Sequence, residues 1–253
     1  MQLPRQIGSR TRAVALAAAG VLALAPAAAR AQGATADTTG GDPPLATSWL
    51  APGAATWELV MARGAQQQPI GTVEETITVD SLAGRAVLRR VQRTESAMGV
   101  QADSTWLDRA TLAPLRRRSG GLRAARLDWA DGRVRGEAAS PTGGAARAVD
   151  AALERPAFDV TTLDLVVASL PLARGYAMRL PVYVPDAGGV VEATVEVVGS
   201  ESVRVGGADV DAWKVATSAG GQRVTWWIAD DSRQTARVSR DAGAGTELRL
   251  VQP

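Results

Sequence analysis

The stretch VEATVEV, which runs from Val191 to Val197, alternates strictly between apolar and polar side chains. Successive side chains of a β-strand point to opposite faces of the sheet, so a period of two predicts a strand that buries one face. The same period recurs in residues 71–80, where Val73, Ile77 and Val79 alternate with polar residues. Because the pattern appears in both halves of the chain, we predict a fold built mainly from strands.

About a dozen short strands of this kind follow one another, separated by turn sequences. Asp131-Gly132 is typical of a two-residue hairpin turn in which both residues take positive φ angles. Glycine pairs at 206–207 and 220–221 mark similar turns. Turns this short join neighbouring antiparallel strands, so we predict a mainly β fold: an antiparallel curved sheet or half-barrel that forms a single domain over residues 54–253.

One segment, residues 161–170, has a helical period instead. Thr161 and Asp164 have the spacing of a capping box, and Pro171 ends the segment. We predict one short helix here, which covers a face of the sheet with one apolar stripe. The residues of that stripe are Leu163, Val166, Val167 and Leu170.

The first 31 residues have the pattern of a secretory signal peptide. They contain four arginines and no acid, and they end in Ala29-Arg30-Ala31, a sequence that signal peptidase accepts. The apolar run from Ala13 to Ala25 is too short to span a hydrocarbon core of about 30 Å as a helix. We predict a signal peptide at 1–31 and a flexible leader at 32–53, and hence a periplasmic or secreted protein that does not span a membrane after cleavage.

The charge of the chain does not favour nucleic acid as a partner. The net charge is +2, but the predicted signal peptide holds 4 of the 28 basic residues and none of the 26 acids, so the remainder is slightly acidic. Residues 85–147 are locally basic, with 13 arginines against 6 acids. Either neighbouring strands neutralise this segment or it forms an anion-binding face.

The composition excludes several kinds of active site. The sequence has no cysteine and no histidine, which excludes thiol nucleophiles, histidine triads and Cys/His zinc sites. Phosphate-binding glycine loops are absent too, and we expect no cofactor and no metal. Paired acids such as Glu74-Glu75 and Asp230-Asp231 are adjacent in sequence, so in a strand they point to opposite faces. We therefore expect a protein that is not an enzyme.

Several short motifs resemble the periplasmic family known as domain of unknown function 3108. This resemblance implies an exported β-rich fold, similar in design to the curved sheets of lipoprotein-carrier proteins, without established catalytic residues. The motifs that carry it are Thr111-Leu112-Ala113-Pro114-Leu115, Phe158-Asp159, Leu170-Pro171-Leu172 with Gly175-Tyr176, Val195 to Val205, Trp213-Lys214-Val215 and Thr225 to Asp230.

Seven residues are our candidates for ligand binding. Seven of the ten aromatic residues are tryptophans, which suit an apolar cavity as well as a core. Trp226 and Trp227 must point to opposite faces of one strand, so if Trp226 lies in the core, Trp227 faces solvent, a neighbouring segment or a cavity. An arginine run could bind anionic groups or protect a strand edge. The candidates are Trp106, Trp129, Trp213, Trp227, Arg116, Arg117 and Arg118.

These observations predict a non-enzymatic protein of the cell envelope. Its curved sheet would bind an apolar or amphipathic molecule such as a lipid, or an envelope protein. Two alternatives belong to other classes. One is a structural envelope or assembly protein with a filled core, and the other is a carboxylate-dependent hydrolase of envelope glycans, which needs two acids converging in a pocket.

Overall fold

The computed structural model describes residues 43–121, 123–139 and 145–252. The predicted signal peptide and the leader up to residue 42 lie outside this range. The described chain forms a 15-stranded sheet with one short α-helix, which confirms the predicted fold class. The strands are β1 Gly53–Arg63, β2 Gln66–Leu82, β3 Arg85–Ser96, β4 Gly99–Leu107, β5 Pro114–Gly120, β6 Ala125–Ala130, β7 Arg133–Ala138, β8 Arg147–Ala152, β9 Phe158–Asp159, β10 Ala177–Val184, β11 Gly189–Val205, β12 Ala208–Ala219, β13 Gln222–Ala229, β14 Thr235–Gly243 and β15 Thr246–Val251.

The sheet consists of two antiparallel meanders that meet in its middle. The first runs from β1 outward to β8, and the second runs from β10 back to β15, which pairs with β1. The two-residue strand β9 adds to β10 in parallel and forms the other edge. The first and last strands, β1 and β15, are therefore neighbours in the middle of the sheet. The edge strands, β8 and β9, come from the middle of the chain.

The sheet curls until its two ends overlap, but within the described residues no backbone strand pairing joins its edge strands β8 and β9. Tyr183 of β10 packs on the apolar side chains of β6, β7 and β8, including Leu127, Val134 and Val149. The Arg147 guanidinium, from the edge strand β8, donates a hydrogen bond to the Pro185 carbonyl. Side-chain packing thus holds the β6–β8 end over the outer face of β10. We call the inner side of the curl the concave face and the other side the outer face.

The alternation that predicts β11 also determines its buried face. Ala193, Val195 and Val197 are buried in the main core, and the intervening Glu192 and Glu196 are exposed. A bulge then interrupts the pairing with β12 between Val197 and Gly199. The extra residue reverses the alternation, so the later valines of β11 pack on the outer face.

The predicted helix is present but is more deeply buried than a single stripe implies. A 3₁₀ turn at Val160–Thr162 leads into α1, Leu163–Ser169, and every residue of α1 is buried. The capping-box prediction for Thr161 and Asp164 is wrong. The Asp159 carboxylate instead accepts the Thr161 backbone N–H at 2.9 Å, because Asp164 is occupied by an arginine of the sheet.

Residues 43–52, the described end of the predicted leader, run along α1. The Ala46 backbone N–H donates to the Ser169 carbonyl at 2.8 Å, and the Trp49 indole donates to the Ser169 hydroxyl at 3.1 Å. Leu50 is buried in the main core. No helix within the described residues is both long and apolar enough to cross a membrane.

Candidate functional site

A large cavity of about 1020 Å³ lies on the concave face of the sheet. Both meanders contribute to its wall, and α1 and residues 49–55 cover part of it. The cavity is mostly apolar, with charged residues confined to a few positions. Its main apolar residues are Trp49, Leu50, Trp57, Leu59, Val73, Ile77, Val160, Leu163, Leu165, Val184, Val224, Trp226, Val238, Leu248 and Leu250.

Three tryptophans from separate parts of the chain line this cavity: Trp49, Trp57 and Trp226. Trp57 of β1 is buried opposite Val73 of β2. Trp226 of β13 is half-buried, and its indole N–H donates to the Thr217 hydroxyl at 2.9 Å. Each ring therefore presents an apolar surface to the cavity.

Two arginines point inward from one transverse row of the sheet. Arg90 of β3 and Arg117 of β5 both lie opposite Thr105 of β4, on its two sides. Each of these residues is only 5% exposed. A buried cation is stable only when it is paired, so the partners of these arginines decide what the cavity wall can do.

Arg90 is held between two carboxylates that also line the cavity. Its Nη1 and Nη2 atoms donate to the two Asp164 oxygens at 3.0 and 2.5 Å, and its Nε donates to Glu75. Gln92 donates a further hydrogen bond to Glu75 at 3.0 Å. This triad of Glu75, Arg90 and Asp164 joins α1 to strands β2 and β3.

Burial and charge act against each other within the triad. Burial alone lowers the pKa of Arg90, but Asp164 and Glu75 outweigh it and raise that pKa above its ordinary value. Burial also raises the pKa of Asp164, against the opposing effect of Arg90. The charge of Arg90 is therefore what allows the two acids to be buried here.

Arg117 is the one residue of the predicted arginine run that lines the cavity. Its guanidinium contacts Asp103 at 3.3 Å, Asp159 at 3.5 Å and the Ser119 hydroxyl at 2.8 Å. Asp159 also accepts the Thr161 N–H at the start of the 3₁₀ turn. Like Arg90, Arg117 therefore has its guanidinium group paired with other residues of the protein. Within the described residues, no group of three or more acidic side chains is arranged to hold a metal ion.

The other two arginines of the run lie on the outer face. Arg116 and Arg118 both donate to the Asp128 carboxylate of β6, at 2.8 Å in each case. Alternation along β5 turns these neighbours of Arg117 away from the cavity. These two ion pairs join β5 to β6 on the outer face.

Three of the predicted tryptophans lie outside the cavity lining. The Trp106 indole donates to Asp80 at 3.0 Å. Trp129 packs edge-on against Tyr183, with ring centroids 5.9 Å apart, where the two sheet ends overlap. Trp213 donates to Asp230 at 2.6 Å and packs against the main core.

Trp227, the fourth, is buried on the outer face and not on the concave face. Its indole N–H donates to Glu201 at 2.6 Å, and the Arg237 guanidinium lies 3.8 Å from the ring centroid. Arg237 and Lys214 also pair with Glu201. The two tryptophans point to opposite faces as expected: Trp226 packs against the main core and lines the cavity, and Trp227 packs against neighbouring strands on the outer face.

This outer cluster leads to a prediction about acid stability. The hydrogen bond from Trp227, followed by the charges of Lys214 and Arg237, lowers the pKa of Glu201 below its ordinary value of 4.5. The ionised carboxylate therefore stabilises the fold above pH 4.5, and this contribution is lost as the pH falls through the lowered pKa. We expect the unfolding free energy of Glu201→Gln to fall less than that of the wild type between pH 6 and pH 3, measured by urea unfolding. Parallel losses in the two proteins would contradict the prediction.

The sequence reasoning missed several residues that line the cavity. Trp57 and Trp226 could have been found from alternation, because both share a strand face with other apolar residues. Arg90 gave no such signal, since an arginine within a strand is typically exposed. Arg123 and Arg240 also line the cavity and were not singled out.

Comparison with known proteins places the chain in a family. A family model described as "Protein of unknown function (DUF3108)" matches residues 56–249. The chain belongs to this family. The DUF3108 region extends from β1 into β15, so both meanders and the helix fall within it. The match confirms the resemblance seen in the sequence motifs. No curated protein and no solved structure matches the chain.

Proposed function

We propose that this protein is exported to the periplasm or the cell exterior and binds the apolar chain of an amphipathic molecule, without catalysing a reaction. The observation that carries the proposal is the cavity of about 1020 Å³ with its three tryptophans. Sites for small molecules are typically apolar concavities of about 300 to 1,000 Å³ with a few placed polar groups. The cavity has that size and that composition.

The polar residues of the wall fit this role better than catalysis. Three acids among the described residues line the cavity, Glu75, Asp164 and Asp186, and the hydrolase alternative depends on Glu75 and Asp164, because these two converge on Arg90. Both accept hydrogen bonds from Arg90, however, so each carboxylate is already bound to a cation of the protein and is not a free group facing a substrate. The alternative of a structural protein predicts a filled core, and a cavity of this volume argues against it.

Neutral n-alkanols of six to twelve carbons provide the direct test. We expect them to change the tryptophan fluorescence of the full chain, with an affinity that rises up to about fourfold per CH₂ because each buried CH₂ contributes about 0.8 kcal/mol. Trp226→Ala should weaken binding of the longest alkanol about tenfold by removing part of the wall. Trp106→Ala, which alters the outer face, is the matched control and should bind like the wild type.

Absence of binding at every chain length would refute the proposal. Equal binding of short and long alkanols would refute it too, because burial of each added methylene in an apolar cavity increases the affinity. Mass spectrometry of organic extracts from the purified protein then identifies the natural ligand. If a protein neighbour were cross-linked at the cavity instead, the envelope-partner alternative would be favoured.

A further inference from the structure

Four arginines among the described residues line the cavity, and they fall into two kinds. Arg90 and Arg117 are buried and paired with carboxylates of the protein, as described above. Arg123 and Arg240 have no carboxylate within 4 Å among the described residues, and their guanidinium groups make no hydrogen bond there. The second pair is therefore available to a ligand, and the first is not.

The two available arginines come from different meanders of the sheet and line the same cavity. Arg123 is exposed in the turn between β5 and β6, and its backbone N–H is held by the Gln101 side chain at 3.3 Å. Arg240 is half-buried in β14, deep enough for burial to lower its pKa, and the nearby charge of Arg123 lowers that pKa further. The two positive charges repel each other, and an anion bound between the two guanidinium groups would offset both this repulsion and the burial of Arg240.

The surroundings of Arg240 are apolar. Its cross-strand neighbours are Val224 of β13 and Leu248 of β15, both in the cavity wall. The next inward residue of β14 is Val238, about 7 Å further along the strand, between Trp226 and Leu250. An anionic group at Arg240 would thus lie at the border of a continuous apolar surface.

We propose that the ligand is an anionic amphiphile, whose carboxylate or phosphate head lies between Arg123 and Arg240 while its chain follows the wall from Val224 towards Trp226. This inference rests on the proposed function, because it assigns a head group to the chain-binding cavity. Guanidinium groups suit both heads, since each presents paired donors to two oxygens.

Five probes separate the head from the chain. Dodecanoate and dodecyl phosphate carry the anion, dodecanol carries the chain without charge, dodecyltrimethylammonium carries the opposite charge, and inorganic phosphate carries the anion without a chain. We expect both anionic probes to bind at least tenfold more tightly than dodecanol. Dodecyltrimethylammonium, whose head is cationic, should bind more weakly than the anionic probes and more weakly than dodecanol. Arg123→Gln and Arg240→Gln should each lower the affinity for the anionic probes about tenfold and change the affinity for dodecanol far less, so that the preference for an anionic head falls.

A matched control and the opposing outcomes make the test decisive. Arg204→Gln removes the same charge from an exposed pair with Asp209 and should behave as the wild type. Equal binding of anionic and neutral probes, or no change in the two variants, overturns this inference and leaves the proposed function intact. Inorganic phosphate that binds as tightly as dodecyl phosphate also overturns it, because the chain would then contribute nothing. If dodecanol and the anionic probes all fail to bind, the proposed function falls as well.

Discussion

Replacement of Arg90 by methionine is expected to lower the free energy of unfolding by about 3 to 5 kcal/mol. The substitution keeps an apolar stem of similar length but leaves the Glu75 and Asp164 carboxylates buried without their shared cation. Burial already raises the pKa of Asp164, and loss of Arg90 removes the interaction that opposes this rise. Urea unfolding at neutral pH, followed by circular dichroism, measures the loss.

Two further variants test the cause of that loss. Arg204→Met breaks an exposed ion pair with Asp209 and should cost less than about 1 kcal/mol. Adding Glu75→Gln and Asp164→Asn to Arg90→Met removes the orphaned charges and should recover most of the lost stability. A triple variant no more stable than Arg90→Met would show that the charges of the triad are not the cause.

The same variants bear on the hydrolase alternative. If Glu75 or Asp164 were catalytic, then Glu75→Gln or Asp164→Asn would abolish a hydrolytic turnover. If the triad is structural, these variants change stability and leave chain binding in the cavity intact. A turnover that disappears while the unfolding free energy is unchanged would favour the hydrolase.

Gly136→Ala is expected to lower the free energy of unfolding by about 2 to 6 kcal/mol, since backbone strain and overpacking each cost roughly 1 to 3 kcal/mol. Gly136 lies in β7 with φ +141°, which side-chain-bearing residues rarely adopt. An added Cβ would also collide with the backbone carbonyl of Arg126 in β6. These strands carry the apolar residues that pack on Tyr183, so the overlap of the sheet ends should loosen.

Gly120→Ala is the matched control for this prediction. Gly120 is the last residue of β5, in the same meander as β7. It has no positive φ, and the space where a Cβ would be placed is open. The control should change the unfolding free energy by less than about 1 kcal/mol. If Gly136→Ala were equally mild, the close approach of β6 and β7 would not be required for stability.

Much of the secondary structure could be predicted because its determinants are local. The hairpin at Asp131-Gly132 has the predicted positive φ angles, 51° and 67°. The helix predicted over residues 161–170 is present as a 3₁₀ turn at Val160–Thr162 followed by α1 at Leu163–Ser169, although its capping differs. The strand number was underestimated: the structure has 15, and the short strands β8 and β9 lie in or beside an alanine- and glycine-rich region without clear alternation.

The candidate site was predicted poorly, for reasons that alternation explains. Period-two patterning separates a strand into two faces but does not say which face is concave. Among the seven candidates, Arg117 is therefore the one that lines the cavity, whereas Trp227 lies on the outer face. Whether any of the seven residues binds a ligand stays a prediction.

The sequence by itself determined the β class, the turn positions, the helical segment and the buried side of β11, because each depends on residues within a few positions of one another. The tertiary structure alone decided that β1 and β15 are central neighbours and that the two sheet ends overlap at Tyr183. It also decided that Glu75, Arg90 and Asp164 meet, and that Arg123 and Arg240 face one cavity. These features depend on strand order, curvature and register, which bring together residues that are far apart in the chain.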